Sequence, residues 1–482
     1  MTATGAYAAG PGAAGIGDPY YPRYGNGGYN VTSYDLAIDY APTTGRITGT
    51  AVIKAKATQD LTRFNLDLLL TATTVTVNGA PTTFTKPDPH ELVIKPAAVL
   101  KSGSEMVVKV TYTGVPSAIS NGGINPWIGS GSEIVALGEP EIAAWWFPSN
   151  DHPRDKATFN FAFTVPKGLE AIGPGDLVGK TSGATKDTWK WSTGKPMATY
   201  LAFMAVGQYE VLTGTAKGRP YTTAITTRRG ADVSQARADL LRTPEVINWA
   251  SAHFGPYPFT SVGGVIPKVP FGYALETQNR PVYTSGFWGG GSNMYVVVHE
   301  NAHQWFGDSV SVRNWKDIWL NEGFASYAEW LWSETHGEGT TDQILSQIYA
   351  DLPARDTDFW GVPIANPGAG NEFNAAVYTR GAMTLAALRN VIGDSAMATL
   401  LRQWATTKRY GNASTSEFTA LAERLSGKDL DAFFRNWLFV KARPAATAQN
   451  GLAGLPRTSA PTDATRQILD NAKRYAEIHA DR

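Results

Sequence analysis

The sequence predicts an α+β protein, with an N-terminal antiparallel β-sheet domain followed by a mainly helical domain. Three observations predict it. YDLAIDY (34–40) and VVKVTY (107–112) alternate apolar and polar residues with the period of two that marks half-buried strands. Asn78-Gly79 stands between two strand-like runs in VTVNGAPTTF, a strong local signal for a hairpin. From about residue 230 the pattern changes to longer segments whose apolar residues recur at helical spacing.

In chain order, residues 1–28 read as a flexible leader of Ala, Gly and Pro, and 29–210 as the β domain, with many short strands separated by turn residues. The helical domain covers 211–443. In its DIWLNEGFASYAEWLWSETHG (317–337), Ile318, Leu320, Phe324, Tyr327, Ala328 and Leu331 share helical intervals, and Gly337 is the stop. YTRGAMTLAALRNVIG (378–393) reads the same way. Residues 444–482 form a small-residue linker and a short charged C-terminal helix or tail on the surface. There is no internal repeat of solenoid or propeller length.

Composition narrows the function. Lys+Arg and Asp+Glu both number 42, so the net charge gives no reason to expect a nucleic acid or an anionic membrane as partner. No apolar run reaches the roughly 20 residues that span a bilayer. Without any cysteine, disulfides are excluded and a transition-metal site must be built from His, Asp and Glu. The leader lacks a basic stretch followed by an apolar core, so it carries no export signal. Its composition leans towards the mature end of a secreted protein, with the cytoplasm still open. NVT (30–32) and NAS (412–414) match glycosylation triplets, a pattern frequent by chance.

The chemistry is concentrated in VVVHENAHQWFGD (296–308). On a helix, His299 and His303 lie on one face and direct two imidazoles at one point, as zinc requires. Glu300 sits about 100° round the helix, able to reach a metal-bound water without coordinating the metal. The competing reading is two ordinary histidines on a buried helix, and the β-branched Val296, Val297 and Val298 weaken the helix by tenths of a kcal/mol each. A third ligand comes from the next helical segment. Glu322 follows His303 after 18 intervening residues, and Glu329 is the competing carboxylate seven residues on, roughly on the same face. Two histidines and a glutamate leave a fourth position open, as in catalytic zinc. His90, His152, His253, His336 and His479 have no such pairing and read as surface or core residues.

His299-Glu300-Asn301-Ala302-His303, followed by Asn321-Glu322-Gly323, resembles the aminopeptidase N family of gluzincin metallopeptidases, which includes leukotriene-hydrolase-type enzymes. HQWFGDSVSVRNWKDIWLNEGFASY (303–327), YTRGA (378–382), FGYALETQ (271–278) and GEPEIAAWWFPSNDHPRDKATF (138–159) extend the likeness over residues 29 to 440. The resemblance implies a thermolysin-like catalytic domain over 211–443 and one Zn2+ per chain on His299, His303 and Glu322. It implies Glu300 as general base and Tyr378 as donor to the oxyanion. Glu276 becomes the anchor for a substrate's free α-ammonium group, with Glu139 (or its neighbour Glu141) as a second carboxylate. Tyr273 and Ala274 fall in the substrate-binding loop. Tyr273, Leu275 and Thr277 depart from that loop's usual glycine, methionine and asparagine. Asn301 replaces a leucine, and Ala144-Trp145 replaces a pair of arginines. Likeness ends near Arg443, where family members continue into a helical domain, so the resemblance implies a two-domain form with a more open cleft.

The implied activity is zinc-dependent removal of N-terminal residues from peptides with a free amino terminus, by a monomer or homodimer. One rival is a zinc endopeptidase or other hydrolase with an open cleft, against which Glu276 argues, because an endopeptidase has no use for an ammonium anchor. The other is a catalytically silent zinc-bearing module, against which Glu300 and Tyr378 argue, because neither is needed to hold a metal.

Overall fold

The computed structural model describes residues 9–456 and 460–480. Its first part is a β domain built on an eight-stranded sheet. The strands Tyr29–Ala41, Arg46–Ala57 and Glu105–Gly114 run side by side and antiparallel at its centre. Tyr34, Leu36, Ile38 and Tyr40 all point into the core, as the alternation predicts. The sheet is not wholly antiparallel: Thr158–Pro166 runs parallel to Tyr29–Ala41. The Asn78-Gly79 turn has φ of 51° and 81°, the two positive values that a type I′ hairpin requires.

The second part opens on a five-stranded sheet, Tyr209–Ala216, Arg219–Thr226, Val262–Ile266, Val282–Tyr283 and Ala274–Leu275 in spatial order. The last of these is an edge, which delivers Glu276 to the cleft between this sheet and the helices. Three helices carry most of the chemistry. The motif helix, Met294–Ala302, is capped by Asn293, whose side chain accepts from the Val296 amide. Every residue in it is buried, and that burial offsets the weak helix preference of its three valines. The carboxylate helix spans Trp319–Thr335, and the tyrosine helix, Ala375–Ile392, is capped by Asn374. These two pack with almost no space between backbones, because Gly323 faces Gly381. A Cβ added at Gly323 would lie 2.8 Å from the Gly381 Cα, and one at Gly381 would lie 2.6 Å from the Gly323 Cα.

Segments near both chain ends differ from the sequence expectation, and residues 1–8 of the expected leader lie outside the described residues. Residues 9–28 are not a loose leader. Gly10–Pro11 pairs with Leu61–Asp67, and the buried Asp18 carboxylate contacts the His152 ring at 3.0 Å and accepts the Trp315 amide at 2.9 Å. Arg154 donates to the Ile16 carbonyl, and the Tyr20 hydroxyl bonds Asn366. A low-complexity composition conceals this, because the binding lies in one carboxylate, one tyrosine hydroxyl and backbone groups. The C-terminal helix, Asp463–Ala480, is not a surface helix either. Ala464, Ile468, Asn471 and Tyr475 are buried along one of its faces. Among the described residues, no helix is long and apolar enough to cross a membrane.

Candidate metal centre and active-site cleft

The motif helix presents His299 from its last turn and His303 from the residue that caps it. The carboxylate helix brings Glu322 opposite. Glu322 Oε2 lies 3.4 Å from His299 Nε2 and 3.4 Å from His303 Nε2. Ligands held about 2.0–2.1 Å from a tetrahedral ion stand about 3.3–3.4 Å from one another, so this donor set fits a divalent ion such as zinc. The outer nitrogens are engaged elsewhere. His303 Nδ1 lies 3.0 Å from the Phe306 carbonyl, and His299 Nδ1 lies 2.7 Å from Glu329 Oε1. Glu329, the competing carboxylate at the sequence level, thus holds a ligand rather than joining the triad. Burial acts to lower the His299 pKa, but Glu322 and Glu329 outweigh it and raise it to about 9. In Glu322 burial raises the pKa, and His303 and His299 pull it well below the usual carboxylate range.

Glu300 is buried beside the triad, and burial pushes its pKa up to about 7 against the pull of both imidazoles. Its Oε1 accepts a 2.6 Å hydrogen bond from the Tyr475 hydroxyl. Tyr378, in the first turn of the tyrosine helix, stacks on His299 with ring centroids 6.2 Å apart. Glu276 is buried, and its carboxylate accepts from the Tyr200 hydroxyl at 3.0 Å while Gln304 holds its backbone carbonyl. Oxygens of Glu139, Glu276 and Glu322 lie within 4.8 Å of one another, as do donor atoms of Glu276, Glu300 and His303. Tyr273 and Ala274 line the same cleft, and the Tyr273 hydroxyl donates to the Leu137 carbonyl at 3.0 Å.

His299, Glu300, His303, Glu322, Tyr378, Glu276, Glu139, Tyr273 and Ala274 therefore line one cleft, whereas the competing Glu141 and Glu329 do not line it. Asn301, polar where a leucine was expected, donates to the Val297 carbonyl and the Tyr283 hydroxyl, which makes its burial tolerable. Ala144 and Trp145 are buried in the core. Of the other histidines, His90 and His152 are core residues paired with Asp67 and Asp18, while the side chain of His479 lies outside the described residues. Two participants escaped sequence reasoning. Tyr200 has no local signal. Tyr475 had one, since 464, 468, 471 and 475 recur at helical intervals, but only Ala464, Ile468 and Tyr475 of these are apolar or aromatic.

Comparison with known proteins agrees with this architecture. The Peptidase family M1 domain matches residues 290–437, and the Peptidase M1 N-terminal domain matches residues 30–201, together more than half of the chain. The chain belongs to peptidase family M1. It is 25% identical over 478 residues to Aminopeptidase M1 of Arabidopsis thaliana, covering 90% of this chain and 52% of that one. It is 28% identical over 342 residues to the glutamyl aminopeptidase of Rattus norvegicus, covering 64% and 34%. The chain thus spans about half or less of the length of these curated relatives. Among solved structures, an M1 zinc metallopeptidase mutant from Deinococcus radiodurans bound to a Tyr-Ser-Ala substrate superposes with a TM-score of 0.81. The two are 28% identical over 89% of this chain and 99% of that one. A two-domain M1 zinc metallopeptidase mutant bound to L-arginine superposes with a TM-score of 0.80 at 27% identity, over 92% and 99%.

Proposed function

We propose that this M1 protein is a zinc-dependent aminopeptidase that releases the first residue of peptides with a free amino terminus. His299, His303 and Glu322 hold the zinc. When bound, the ion supplies Lewis acidity, lowering the pKa of a water and polarising the scissile carbonyl. Glu300 takes the attacking water's proton on its carboxylate and delivers it to the leaving amine, a role suited to a carboxylate whose pKa burial has raised. The Tyr378 hydroxyl donates to the oxygen on which negative charge develops, a contact that strengthens towards the transition state. Glu276, with Glu139 beside it, receives the α-ammonium group and thereby sets the first peptide bond over the metal. Tyr273 and Ala274 border the first side chain.

The observation that carries this reading is the buried concentration of three carboxylates, Glu139, Glu276 and Glu322, at the metal triad. Glu322 serves the ion, and the buried Glu276 carboxylate, which accepts from the Tyr200 hydroxyl, is placed to receive a cationic amino terminus with Glu139 close by. An N-blocked peptide lacks the cationic group that Glu276 would pair, so the site discriminates by charge. The related Deinococcus structure holds a tripeptide, Tyr-Ser-Ala, which is consistent with a short peptide as substrate.

The test compares Leu-Gly-Gly with N-acetyl-Leu-Gly-Gly by mass spectrometry, using the wild type and Glu300→Gln. Release of leucine from the free peptide alone, abolished in the variant, is expected. Equal cleavage of both peptides would remove Glu276 and Glu139 from the anchoring role and make the protein an endopeptidase.

A further inference from the structure

The C-terminal helix, Asp463–Ala480, lies directly on the catalytic machinery. It bonds repeatedly to the segment that leads into the motif helix. Gln467 donates to the Ser292 carbonyl at 2.7 Å. Asn471 and Asn293 exchange amide hydrogen bonds at 2.8 and 3.1 Å. Arg474 donates to the Gly286 carbonyl at 2.7 Å and sets its guanidinium over the Phe287 ring. One turn beyond Asn471, Tyr475 enters the cleft. Its ring stacks on His299 at 4.6 Å and on Tyr378 at 5.5 Å, and its hydroxyl bonds Glu300. One side chain thus contacts a metal-site histidine, the proposed base and the proposed oxyanion donor.

Little room remains. With Tyr475 in place, the cavity bounded by Glu139, Glu276, His299, His303 and Glu322 is about 20 Å3, space for about one water molecule. Tyr475 bonds the Glu300 carboxylate and stacks on His299 and Tyr378, so a substrate that is to meet these groups displaces it. The attachment is suited to release. The bonds from Gln467 and Arg474 are open to solvent, and the described apolar residues buried from the helix are Ala464, Ile468 and Tyr475, with Leu469 half-buried.

We propose that the C-terminal helix is a displaceable gate, with Tyr475 as its bolt, and that this gate determines which substrates enter the cleft. The proposal rests on the aminopeptidase reading for its substrate and on geometry alone for the closure. In the closed state Tyr475 occupies Glu300. In the open state residues 463–480 swing away as a unit. If the helix is open a fraction f of the time, apparent affinity for any ligand of the cleft falls to that fraction of its intrinsic value. A positioning role for Tyr475, in which it merely orients Glu300, predicts the opposite sign, because its loss would then slow the reaction.

The experiment has two readouts on the zinc-loaded protein. The first is the rate at which dipicolinate strips zinc from the wild type, from Tyr475→Ala and from a chain ended after Pro456. A gate open for a tenth of the time or less predicts removal at least about tenfold faster in both variants. The same rate in Tyr475→Ala as in the wild type overturns the gate, and this variant keeps the test valid if the shortened chain does not fold. The second uses the absence of native cysteine. Ser292→Cys and Gln467→Cys, joined by a short bis-thiosulfonate, fasten the helix, and a phosphine reductant frees it. Leu-Gly-Gly cleavage should fall on bridging and return on release, and kcat/KM should rise in Tyr475→Ala mainly through KM. Undiminished cleavage by the bridged protein, or a lower kcat in Tyr475→Ala with unchanged KM, overturns the gate. Accelerated zinc loss without peptide cleavage by any form would uphold the gate and reject the aminopeptidase reading.

Discussion

Gly323→Ala perturbs the site without touching any group that acts in it. The new methyl would lie 2.8 Å from the Gly381 Cα and 3.0 Å from its carbonyl carbon, whereas ordinary contact begins at 3.4 Å. The obstacle is helix backbone, so no side chain can swing aside, and the two helices must separate by at least about 0.6 Å. Overpacking of this kind costs about 1–3 kcal/mol, and alanine's better helix propensity offsets about 1 kcal/mol of it. Net destabilisation is therefore about 0–2 kcal/mol, and the fold survives. Activity should suffer more. Glu322 immediately precedes the new methyl, and Tyr378 sits one turn before Gly381 on the facing helix, so separation moves both relative to the histidines. A misplacement approaching 1 Å lowers rate about 10²-fold, which sets the expected loss in kcat/KM at about ten- to a hundredfold. Urea unfolding gives the stability change, and peptide hydrolysis with metal content gives the functional one. Wild-type kcat/KM with unaltered stability would refute the reasoning, since it would mean the helices part without displacing Glu322 or Tyr378.

Glu329→Gln replaces the anionic acceptor at His299 Nδ1 with a neutral amide, and zinc affinity should fall about 10–100-fold in competition with a chelating dye. Unchanged affinity would leave Glu329 with no part in holding the ligand. The pH profile of kcat/KM should show an acidic limb, because Glu300 accepts a proton only as a carboxylate. Burial raises its folded value from 4.5 to about 7 and a neighbouring dication draws it back, so activity falls as pH drops within that interval. A flat profile down to pH 4.5 would remove Glu300 as the base.

The site was legible to the extent that it is local. His299, Glu300 and His303 occupy one helical turn and a half, so their relative directions follow from helix geometry before any tertiary contact is known. Glu322 was reachable because a short connection limits where the next helix can lie, but the choice between Glu322 and Glu329 was not. Both face the motif helix, and only the placement of His299 between them makes one a metal-site group and the other its support. Tyr200 was out of reach for a different reason, and the helical recurrence that includes Tyr475 does not show what that face covers. Each tyrosine arrives from an element distant in sequence, and an isolated one reads as ordinary packing. The β domain was legible through alternation and the Asn78-Gly79 turn, whereas the parallel pairing of Thr158–Pro166 with Tyr29–Ala41 was not, since period two is common to both pairing senses.

The Asp18 contacts have a mechanical consequence. His152 belongs to the β domain and Trp315 to the approach to the carboxylate helix, and one buried carboxylate oxygen contacts both. Rotating one lobe against the other would strip at least one of these buried groups of its partner, at about 1–3 kcal/mol for each. The first residues of the chain therefore brace the two lobes at a fixed angle, which resists widening of the cleft by lobe rotation. Compliance is left to the opposite terminus, so the chain divides its labour between its ends: one sets the frame and the other moves within it.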